Sequence, residues 1–178
     1  MDRQSPVIMK ARGKEPQIHK SVWLAPNCTV AGDVILGEES TVWFSAVVRG
    51  DVSPIVVGKK VNIQDGAVIH GTFEKSSTEL KDNASIGHNA IVHGATVGEG
   101  ALIGMGAIVM DNVVVGKGAV VAAGAVVLEG TIIEDYTLYA GVPAKNSGAV
   151  KPELIDHLSK TADRYVEYAG WFKEDGDK

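Results

Sequence analysis

The chain repeats a pattern every six residues, and this short period constrains its fold more than any other feature of the sequence. The first position of each unit is Ile, Leu or Val, except in the last unit, where it is Tyr. These positions are Ile18, Leu24, Val30, Leu36, Val42, Val48, Val57, Ile63, Ile69, Leu80, Ile86, Val92, Val97, Ile103, Val109, Val115, Val121, Val127, Ile133 and Tyr139. The fifth position is small, most often Ala, and the second is often Gly. A fixed period of this kind takes precedence over an element-by-element assignment.

The repeat predicts a parallel β-helix, in which each unit is one short strand and three units make one coil of about 18 residues. The aliphatic side chain fills the interior, the small fifth residue lets the chain turn a corner, and we expect Gly at the second position to relieve backbone strain near the bend. Successive coils stack at the strand spacing of roughly 4.8 Å. A helical period of 3.6 residues is not followed, and simple alternation does not explain why Gly and Ala keep their own positions.

The length and composition predict one domain. The chain has 178 residues and a hydrophobic content of 45%, which is ample for a core. We expect an extended N-terminal segment over 1–17, the β-helix over 18–145 and a C-terminal α-helix over 152–173 that packs alongside. Pro152 is a typical first residue of a helix. An apolar stripe then recurs at steps of three and four through Leu154, Leu158, Ala162, Tyr165, Ala169 and Phe172.

Charge and cysteine content narrow the classes of function. The net charge is −5 without a basic cluster, which argues against nucleic acid or an anionic membrane as a partner. No apolar stretch reaches the roughly 20 residues that span a bilayer, and the N-terminus lacks the apolar region of a signal peptide, so we expect a cytoplasmic protein. The one cysteine, Cys28, occupies a fifth position and is predicted to be a buried structural thiol.

Counting units assigns residues to the three sides of the coil. The first positions of sides one, two and three in successive coils are Leu36, Val57 and Leu80, then Val42, Ile63 and Ile86, then Val48, Ile69 and Val92. Arg49, His70 and His93 then share the second position of side three and form a column. His70 and His93 are neighbours at one strand spacing, so their imidazoles can converge on one metal ion.

The third histidine of the region, His88, lies on side two with Gln64 and points away from the other pair. Three prisms packed about a three-fold axis would bring side two of one chain against side three of the next. We therefore predict a metal ion shared across a homotrimer interface, bound by His70 and His93 of one chain and by His88 of its neighbour, with water at an open fourth position. The remaining histidines, His19 and His157, are predicted to be solvated.

The chain resembles the gamma-class carbonic anhydrases from about Ile18 to Phe172. The resemblance is carried by Arg49-Gly50-Asp51, by Asn62-Ile63-Gln64-Asp65-Gly66, by His70, by His88-Asn89-Ala90-Ile91-Val92-His93-Gly94 and by Ile103-Gly104-Met105-Gly106-Ala107. Members of this family are left-handed β-helices that assemble as homotrimers. The resemblance therefore implies a left-handed β-helix and reversible hydration of carbon dioxide to bicarbonate by a metal-bound hydroxide.

The resemblance also implies roles for individual residues. The three histidines match the family's metal ligands, and Gln64 and Asn62 match side chains that hydrogen-bond the metal-bound water or bicarbonate. The pair Arg49 and Asp51 matches a salt bridge across the trimer interface. Tyr165 matches an active-site tyrosine on the terminal helix, although its place in the apolar stripe is equally typical of packing. Zn²⁺ is the expected cofactor, with Fe²⁺ or Co²⁺ as alternatives, because three imidazole nitrogens do not select among these ions.

The sequence departs from the family pattern at positions that bear on proton transfer. Val52 stands where the archaeal prototype has a glutamate, and the segment Gly71–Asn83 is shorter than the prototype's acidic loop, with Phe73 and Glu74 near a second expected glutamate. Glu167 replaces an asparagine near the tyrosine. Because proton transfer to solvent needs a titratable group within reach, these changes concern the rate of hydration rather than the metal ligands.

Other functions remain open on the sequence alone. A metal-dependent acyl-CoA thioesterase would use the same hydroxide on a carbonyl carbon. A noncatalytic or low-activity family member is a second alternative, and a hexapeptide acyltransferase is a weaker one because it needs one catalytic histidine rather than three ligands. Metal content separates these classes, since neither a scaffold nor an acyltransferase needs about one tightly bound metal ion per chain.

Overall fold

The computed structural model describes residues 5–174 and consists of twenty strands followed by two helices. The strands are β1 (Val7–Met9), β2 (Gln17–Ile18), β3 (Trp23–Leu24), β4 (Thr29–Leu36), β5 (Thr41–Val42), β6 (Val47–Val57), β7 (Asn62–Ile63), β8 (Val68–His70), β9 (Thr78–Leu80), β10 (Ser85–Ile86), β11 (Ile91–His93), β12 (Thr96–Val97), β13 (Leu102–Ile103), β14 (Ile108–Val109), β15 (Val114–Val115), β16 (Val120–Val121), β17 (Val126–Val127), β18 (Ile132–Ile133), β19 (Thr137–Ala140) and β20 (Lys145–Ala149). The helices are α1 (Pro152–Ser159) and α2 (Thr161–Glu174).

These strands form a left-handed parallel β-helix with the three predicted sides. Side two is the sheet β3-β5-β7-β10-β13-β16-β19, to which β20 adds antiparallel at the end. Sides one and three belong to one twelve-stranded sheet, because β4 and β6 run continuously around the corner that separates these sides. The N-terminal segment contributes β1, which pairs in parallel with β4 on side three. β-Branched residues dominate the short strands, as expected for a pleated surface.

The interior is built as the repeat predicts. All first-position residues are buried except Ile18, Leu24 and Tyr139, which lie in the terminal coils and pack against the core from partly exposed positions. The alanines of the fifth positions are at most 1% exposed. Cys28 is fully buried, and this burial raises the pKa of its thiol to about 11, which confirms the prediction of a structural residue.

The glycines of the second positions act differently from the prediction. None of them adopts the left-handed backbone conformation, so relief of backbone strain is the wrong explanation. The next coil lies too close for a side chain instead: a Cβ atom added to Gly98 would lie 2.6 Å from the carbonyl carbon of Gly116, and one added to Gly104 would lie 2.5 Å from the backbone nitrogen of Ala123. Close stacking of coils therefore selects Gly at this position.

The C-terminal segment is helical from Pro152, as predicted, but forms two helices rather than one. The break falls at Lys160, whose backbone N–H bonds to the carbonyl of His157 at 3.3 Å, three residues back. Helix α2 packs on side two, where Phe172 lies 5.5 Å from Trp23 and 5.9 Å from Trp43, measured between ring centroids. Over residues 5–174, neither helix is long and apolar enough to cross a membrane.

Two adjacent isoleucines in β18 give a matched test of the core. Ile133 points inward and is 1% exposed, whereas Ile132 points outward and is 70% exposed. We expect Ile133→Ala to lower the free energy of unfolding by about 2 to 5 kcal/mol, because it leaves a cavity. Ile132→Ala should change it by less than about 0.5 kcal/mol. Urea unfolding followed by circular dichroism at one protein concentration measures both. Equal midpoints for the two variants would contradict the assignment of Ile133 to the interior and of Ile132 to the surface.

Candidate metal centre

The histidines of side three meet as the repeat predicts. His70 ends β8 and His93 ends β11, and the two residues are paired in the register of these parallel strands. The Nδ1 atom of His70 lies 3.1 Å from the Nε2 atom of His93. Their ring centroids are 5.1 Å apart, close to the spacing between neighbouring strands.

Each of these imidazoles donates its other N–H to a carboxylate. The Nε2 atom of His70 lies 3.0 Å from Oδ1 of Asp51, and the Nδ1 atom of His93 lies 3.2 Å from Oδ1 of Asp111. An ionised carboxylate only accepts hydrogen bonds, so these ring nitrogens carry the hydrogens. The lone pairs of a neutral pair therefore sit on Nδ1 of His70 and Nε2 of His93, the two atoms that face each other.

The surroundings keep both carboxylates ionised. Partial burial acts to raise the pKa of Asp51, but the hydrogen bonds from Arg49 and His70 outweigh it and hold the pKa below its usual value. Burial acts in the same direction on the pKa of Asp111, and hydrogen bonds, first of all from Ser76 and Thr72, lower it overall. Both groups are thus fixed acceptors at neutral pH.

The facing lone pairs fit a metal cation. Two neutral lone pairs at 3.1 Å repel each other, so this arrangement is favourable with a positive charge between the nitrogens, which either a proton or a metal ion supplies. Two nitrogen ligands of a tetrahedral Zn²⁺, each at about 2.0 Å, would themselves be about 3.3 Å apart. Within residues 5–174 of one chain, no group of three or more His, Cys, Asp or Glu side chains is arranged to bind a metal ion. One chain therefore brings two candidate nitrogen ligands together.

A buried hydroxyl ties the two histidine strands together. Thr78 is 1% exposed. Its Oγ1 atom donates a hydrogen bond to the carbonyl oxygen of His70 and accepts one from the backbone N–H of Gly94 at 3.0 Å. Gly94 follows His93 and has a φ of 62°. A Cβ atom at this position would collide with Oγ of Ser76 and Oδ1 of Asp111, so the absence of a side chain lets these groups approach His93.

The third predicted ligand, His88, lies on side two and away from the other histidines of its own chain. It follows β10, and its Nδ1 atom lies 2.8 Å from Oδ2 of Asp65 in the preceding coil. As with the other two histidines, the carboxylate accepts the N–H, which leaves the second nitrogen, Nε2, as the lone-pair atom. The side chain is 41% exposed, so this nitrogen is accessible from outside the prism.

Gln64 and Tyr165 join His88 at one open cavity of about 360 Å³. The amide of Gln64 donates from Nε2 to Oδ1 of Asn62 at 2.9 Å, and Asn62 donates from Nδ2 to Oγ of Ser85 at 2.8 Å. This chain of hydrogen bonds fixes the orientation of the Gln64 amide, with Oε1 as its remaining acceptor. Asn62 is fully buried, so it contacts Gln64 rather than the cavity.

Tyr165 both packs and lines the cavity, so the two interpretations of this residue are compatible. Its ring meets that of Trp43 edge to face, with 5.3 Å between the centroids. Burial, followed by the negative charge of Asp65, raises the pKa of Tyr165 to about 12. The phenol is therefore protonated at neutral pH and can donate a hydrogen bond.

Arg49 and Asp51 form an ion pair within one chain, with Nη1 of Arg49 at 2.6 Å from Oδ2 of Asp51. The pairing across subunits that the resemblance implies stays a prediction. His19 and His157 are exposed, as predicted, and contact Ser21 and Arg164 respectively. Phe73, in the loop after His70, is exposed beneath the guanidinium of Arg12.

Sequence reasoning missed the carboxylates Asp65 and Asp111. Asp65 shares the third position of side two with His88 in the preceding coil, so the count that paired His70 with His93 would have found it. Asp111 lies one coil after His93, beyond the end of β14, where the register has slipped by one residue. The position of Ser76 had no signal in the repeat, because it lies in the loop that interrupts the period.

Known proteins resemble this chain in sequence and in structure. A family model described as bacterial transferase hexapeptide (six repeats) matches residues 15–50 and 94–129. A carbonic anhydrase of Geobacillus kaustophilus is 42% identical over 82 residues, which are 46% of this chain and 44% of that protein. Protein YrdA of Escherichia coli is 31% identical over 180 residues, with 98% of each chain covered. A Bacillus cereus protein provisionally named an acetyltransferase has 36% identity and a TM-score of 0.92, with 96% of this chain and 98% of that chain covered.

The chain belongs to the hexapeptide transferase family, as a protein of that family from Anaplasma phagocytophilum shows with 36% identity and 93% of this chain covered. The relative named carbonic anhydrase matches 46% of the chain. The matched region spans less than half the length of the Geobacillus kaustophilus relative, while the likeness to the Escherichia coli and Bacillus cereus proteins extends over almost the whole chain. The names of these relatives include both carbonic anhydrase and acetyltransferase. Membership thus defines the fold and the class of protein.

Gly94 and Gly100 give a matched test of the contacts around His93. Both have positive φ angles, 62° and 64°, so alanine carries a similar backbone cost at each. A Cβ at Gly100 meets nothing within 4 Å, whereas at Gly94 it meets Ser76 and Asp111. We expect Gly94→Ala to destabilise the protein by about 1 to 3 kcal/mol more than Gly100→Ala, as overpacking usually does. Urea unfolding measures the difference, and equal losses would show that Ser76 and Asp111 can move freely.

Proposed function

We propose that this protein binds a divalent metal ion between the subunits of a homotrimer and catalyses the reversible hydration of carbon dioxide. The observation that carries the proposal is the convergence of the lone pairs of His70 and His93, each ring being oriented by its own carboxylate. Carboxylate-oriented imidazoles are the usual ligands of catalytic Zn²⁺. Relatives named carbonic anhydrase support the choice of reaction.

The surface of side three supports a subunit contact next to these histidines. An outward-facing column of apolar residues runs beside the column of Arg49, His70 and His93, and every member is only partly exposed. The column consists of Val47, Val68, Ile91, Ile108 and Val126. Burying it against side two of a neighbouring prism would remove apolar surface from water and would bring the neighbour's His88 to the site. The site is then complete only in the assembly.

The metal would be held by Nδ1 of His70 and Nε2 of His93 from one chain and by Nε2 of His88 from the next. Zn²⁺ is the first choice, with Fe²⁺ or Co²⁺ as alternatives, because imidazole suits all three. Such a cation would supply a hydroxide nucleophile at neutral pH by lowering the pKa of bound water. Neutral imidazoles preserve the full charge of the cation for this purpose.

The remaining residues would orient the reactants. Oε1 of Gln64 can accept a hydrogen bond from the nucleophile, since its amide nitrogen is already engaged with Asn62. The phenol of Tyr165, protonated because its pKa is about 12, can donate to a bicarbonate oxygen at the same cavity. Asp51, which Arg49 holds in place, orients His70. In the overall reaction, water and carbon dioxide give bicarbonate and one proton, which must leave to solvent.

The first experiment is a stopped-flow measurement of carbon dioxide hydration by protein that was purified without oxygen and loaded with Zn²⁺, Fe²⁺ or Co²⁺. We expect about one metal ion per chain and a hydration rate well above that of His88→Ala. A wild-type rate no higher than that of His88→Ala would reject hydration as the function, even if the metal stoichiometry were as expected.

Mixed trimers test the sharing of the site between chains. His88→Ala and His93→Ala should each abolish metal binding and hydration. When the two variants are refolded together in equal amounts, about a quarter of the interfaces regain a complete ligand set, because each site then draws intact histidines from different chains. Metal content and hydration rate should both recover to about that fraction. No recovery in correctly assembled mixed trimers would contradict a shared site.

The size and the apolar lining of the cavity favour a second candidate function, hydrolysis of a thioester with an apolar acyl group. The cavity of about 360 Å³ falls within the usual size range of small-molecule sites and is far larger than carbon dioxide. Its lining beyond His88 is mainly apolar and includes Leu102, Met105 and Val120. The same nucleophile would attack the carbonyl carbon, and the thiol would leave with a proton.

Filling the cavity distinguishes the two reactions. Ala123 lines the cavity and is exposed, so Ala123→Phe can occupy it without disturbing the core. We expect this change to slow hydrolysis of butyryl-coenzyme A roughly tenfold, which corresponds to about 1.4 kcal/mol of lost binding in the transition state, and to spare hydration. Ala149→Phe, exposed on β20, is the matched control. Butyryl-coenzyme A that stays intact with metal-loaded wild type would remove this candidate.

A further inference from the structure

The residues that interrupt the six-residue period form a loop next to His93. The loop runs over 71–77, between β8 and β9, and its side chains fasten it to the prism. Lys75 forms an ion pair with Glu129 at 2.8 Å, and the backbone N–H of Thr72 donates to Oγ of Ser76 at 3.1 Å. The ion pair links the loop to a later coil, and the bond from Thr72 lies within the loop and orients Ser76.

The loop reaches the imidazole through Asp111. Oγ of Ser76 donates to Oδ1 of Asp111, and the same oxygen lies 3.2 Å from Nδ1 of His93. The Asp111 side chain is 13% exposed, so it is largely shielded from solvent and has little freedom to choose other partners. A chain of contacts thus runs from the loop to the carboxylate and on to the ring.

The two histidines of side three have independent supports. Asp51 orients His70 and is itself held by Arg49 at 2.6 Å, all three residues lying in the two coils formed by β6 and β8. Asp111 comes from a later coil and depends on the loop instead. A substitution that removes the support of one ring therefore need not disturb the other ring.

We propose that Asp111 is a positioning residue for His93 and that the 71–77 loop, through Ser76, holds this carboxylate in place. The carboxylate keeps the hydrogen on Nδ1, so that Nε2 presents its lone pair towards His70. The role in metal binding rests on the proposed function, but the orientation of the ring is a property of the metal-free chain and can be measured on it. Loss of a partner that orients a metal-binding histidine typically costs 10 to 100-fold in metal affinity.

The first test measures affinity for Co²⁺ by competition with a coloured chelator. We expect Asp111→Asn to weaken binding by about 10 to 100-fold and to shift the visible absorption bands of the bound Co²⁺, because the ring is no longer held in one orientation. Asp156→Asn, an exposed aspartate paired with Lys160 on α1, is the matched control and should leave both unchanged. Wild-type affinity and an unchanged spectrum for Asp111→Asn would overturn the proposal.

The role of the loop is tested by combining variants. Ser76→Ala keeps the carboxylate and removes only its hydroxyl partner, so it should weaken Co²⁺ binding in the same direction and by less. In an Asp111→Ala background it should have no further effect, because the acceptor through which Ser76 acts is then absent. Equal and additive losses would reject the coupling. Thermal unfolding of the metal-free variants identifies any loss that comes from misfolding.

A second measurement needs no metal. Nitrogen chemical shifts of the histidine rings in ¹⁵N-labelled metal-free protein report which ring nitrogen carries hydrogen, and a His93→Gln variant assigns the signals. We expect a proton on Nδ1 of His93 in the wild type and a reduced occupancy in Asp111→Asn. A bare Nδ1 in the wild type would overturn the proposal. A protonated Nδ1 in a protein that hydrates no carbon dioxide would uphold it while the proposed function fails.

Discussion

The coils stack because each first-position side chain fills the interior directly above its equivalent in the coil below, while Ala at the fifth position and Gly at the second let the backbones come close. The resulting register decides which outward-facing strand residues of neighbouring coils lie side by side. It pairs His93 with His70 and sets Asp65 beside His88. A slip of one residue in a strand would turn the outward columns inward, so the buried aliphatic residues enforce the arrangement of the polar ones.

This architecture also separates the histidines. Residues on one side of a prism approach others on that side in neighbouring coils, and His88 is on a different side from His70 and His93. Stacking further coils along the prism axis of one chain cannot bring side two into contact with side three. The proposed shared site resolves this separation by packing two copies side to side, and the partly exposed apolar column on side three is consistent with such packing. A change of assembly would then change chemistry as well as shape.

Much of the molecule could be predicted from the period alone. This includes the three sides, the buried first and fifth positions, the buried structural thiol of Cys28 and the pairing of His70 with His93. The reason given for the second-position glycines was wrong, since a six-residue count does not measure how closely two coils approach. The apolar stripe predicted one C-terminal helix, whereas the chain breaks at Lys160. The spacing of apolar residues indicates which residues face the prism but does not indicate where the helix changes direction.

The sequence by itself determined the kind of prism and the sides that His70, His88 and His93 occupy, because a strict period fixes the position of every residue it covers. Only the tertiary structure decided which ring nitrogens are free. That choice depends on Asp51 and Asp111, which approach the rings from other coils, and on Ser76 in a loop that the period does not reach. Side-chain hydrogen bonds of this kind are set by ångström-scale distances between coils, which spacing along the chain does not encode.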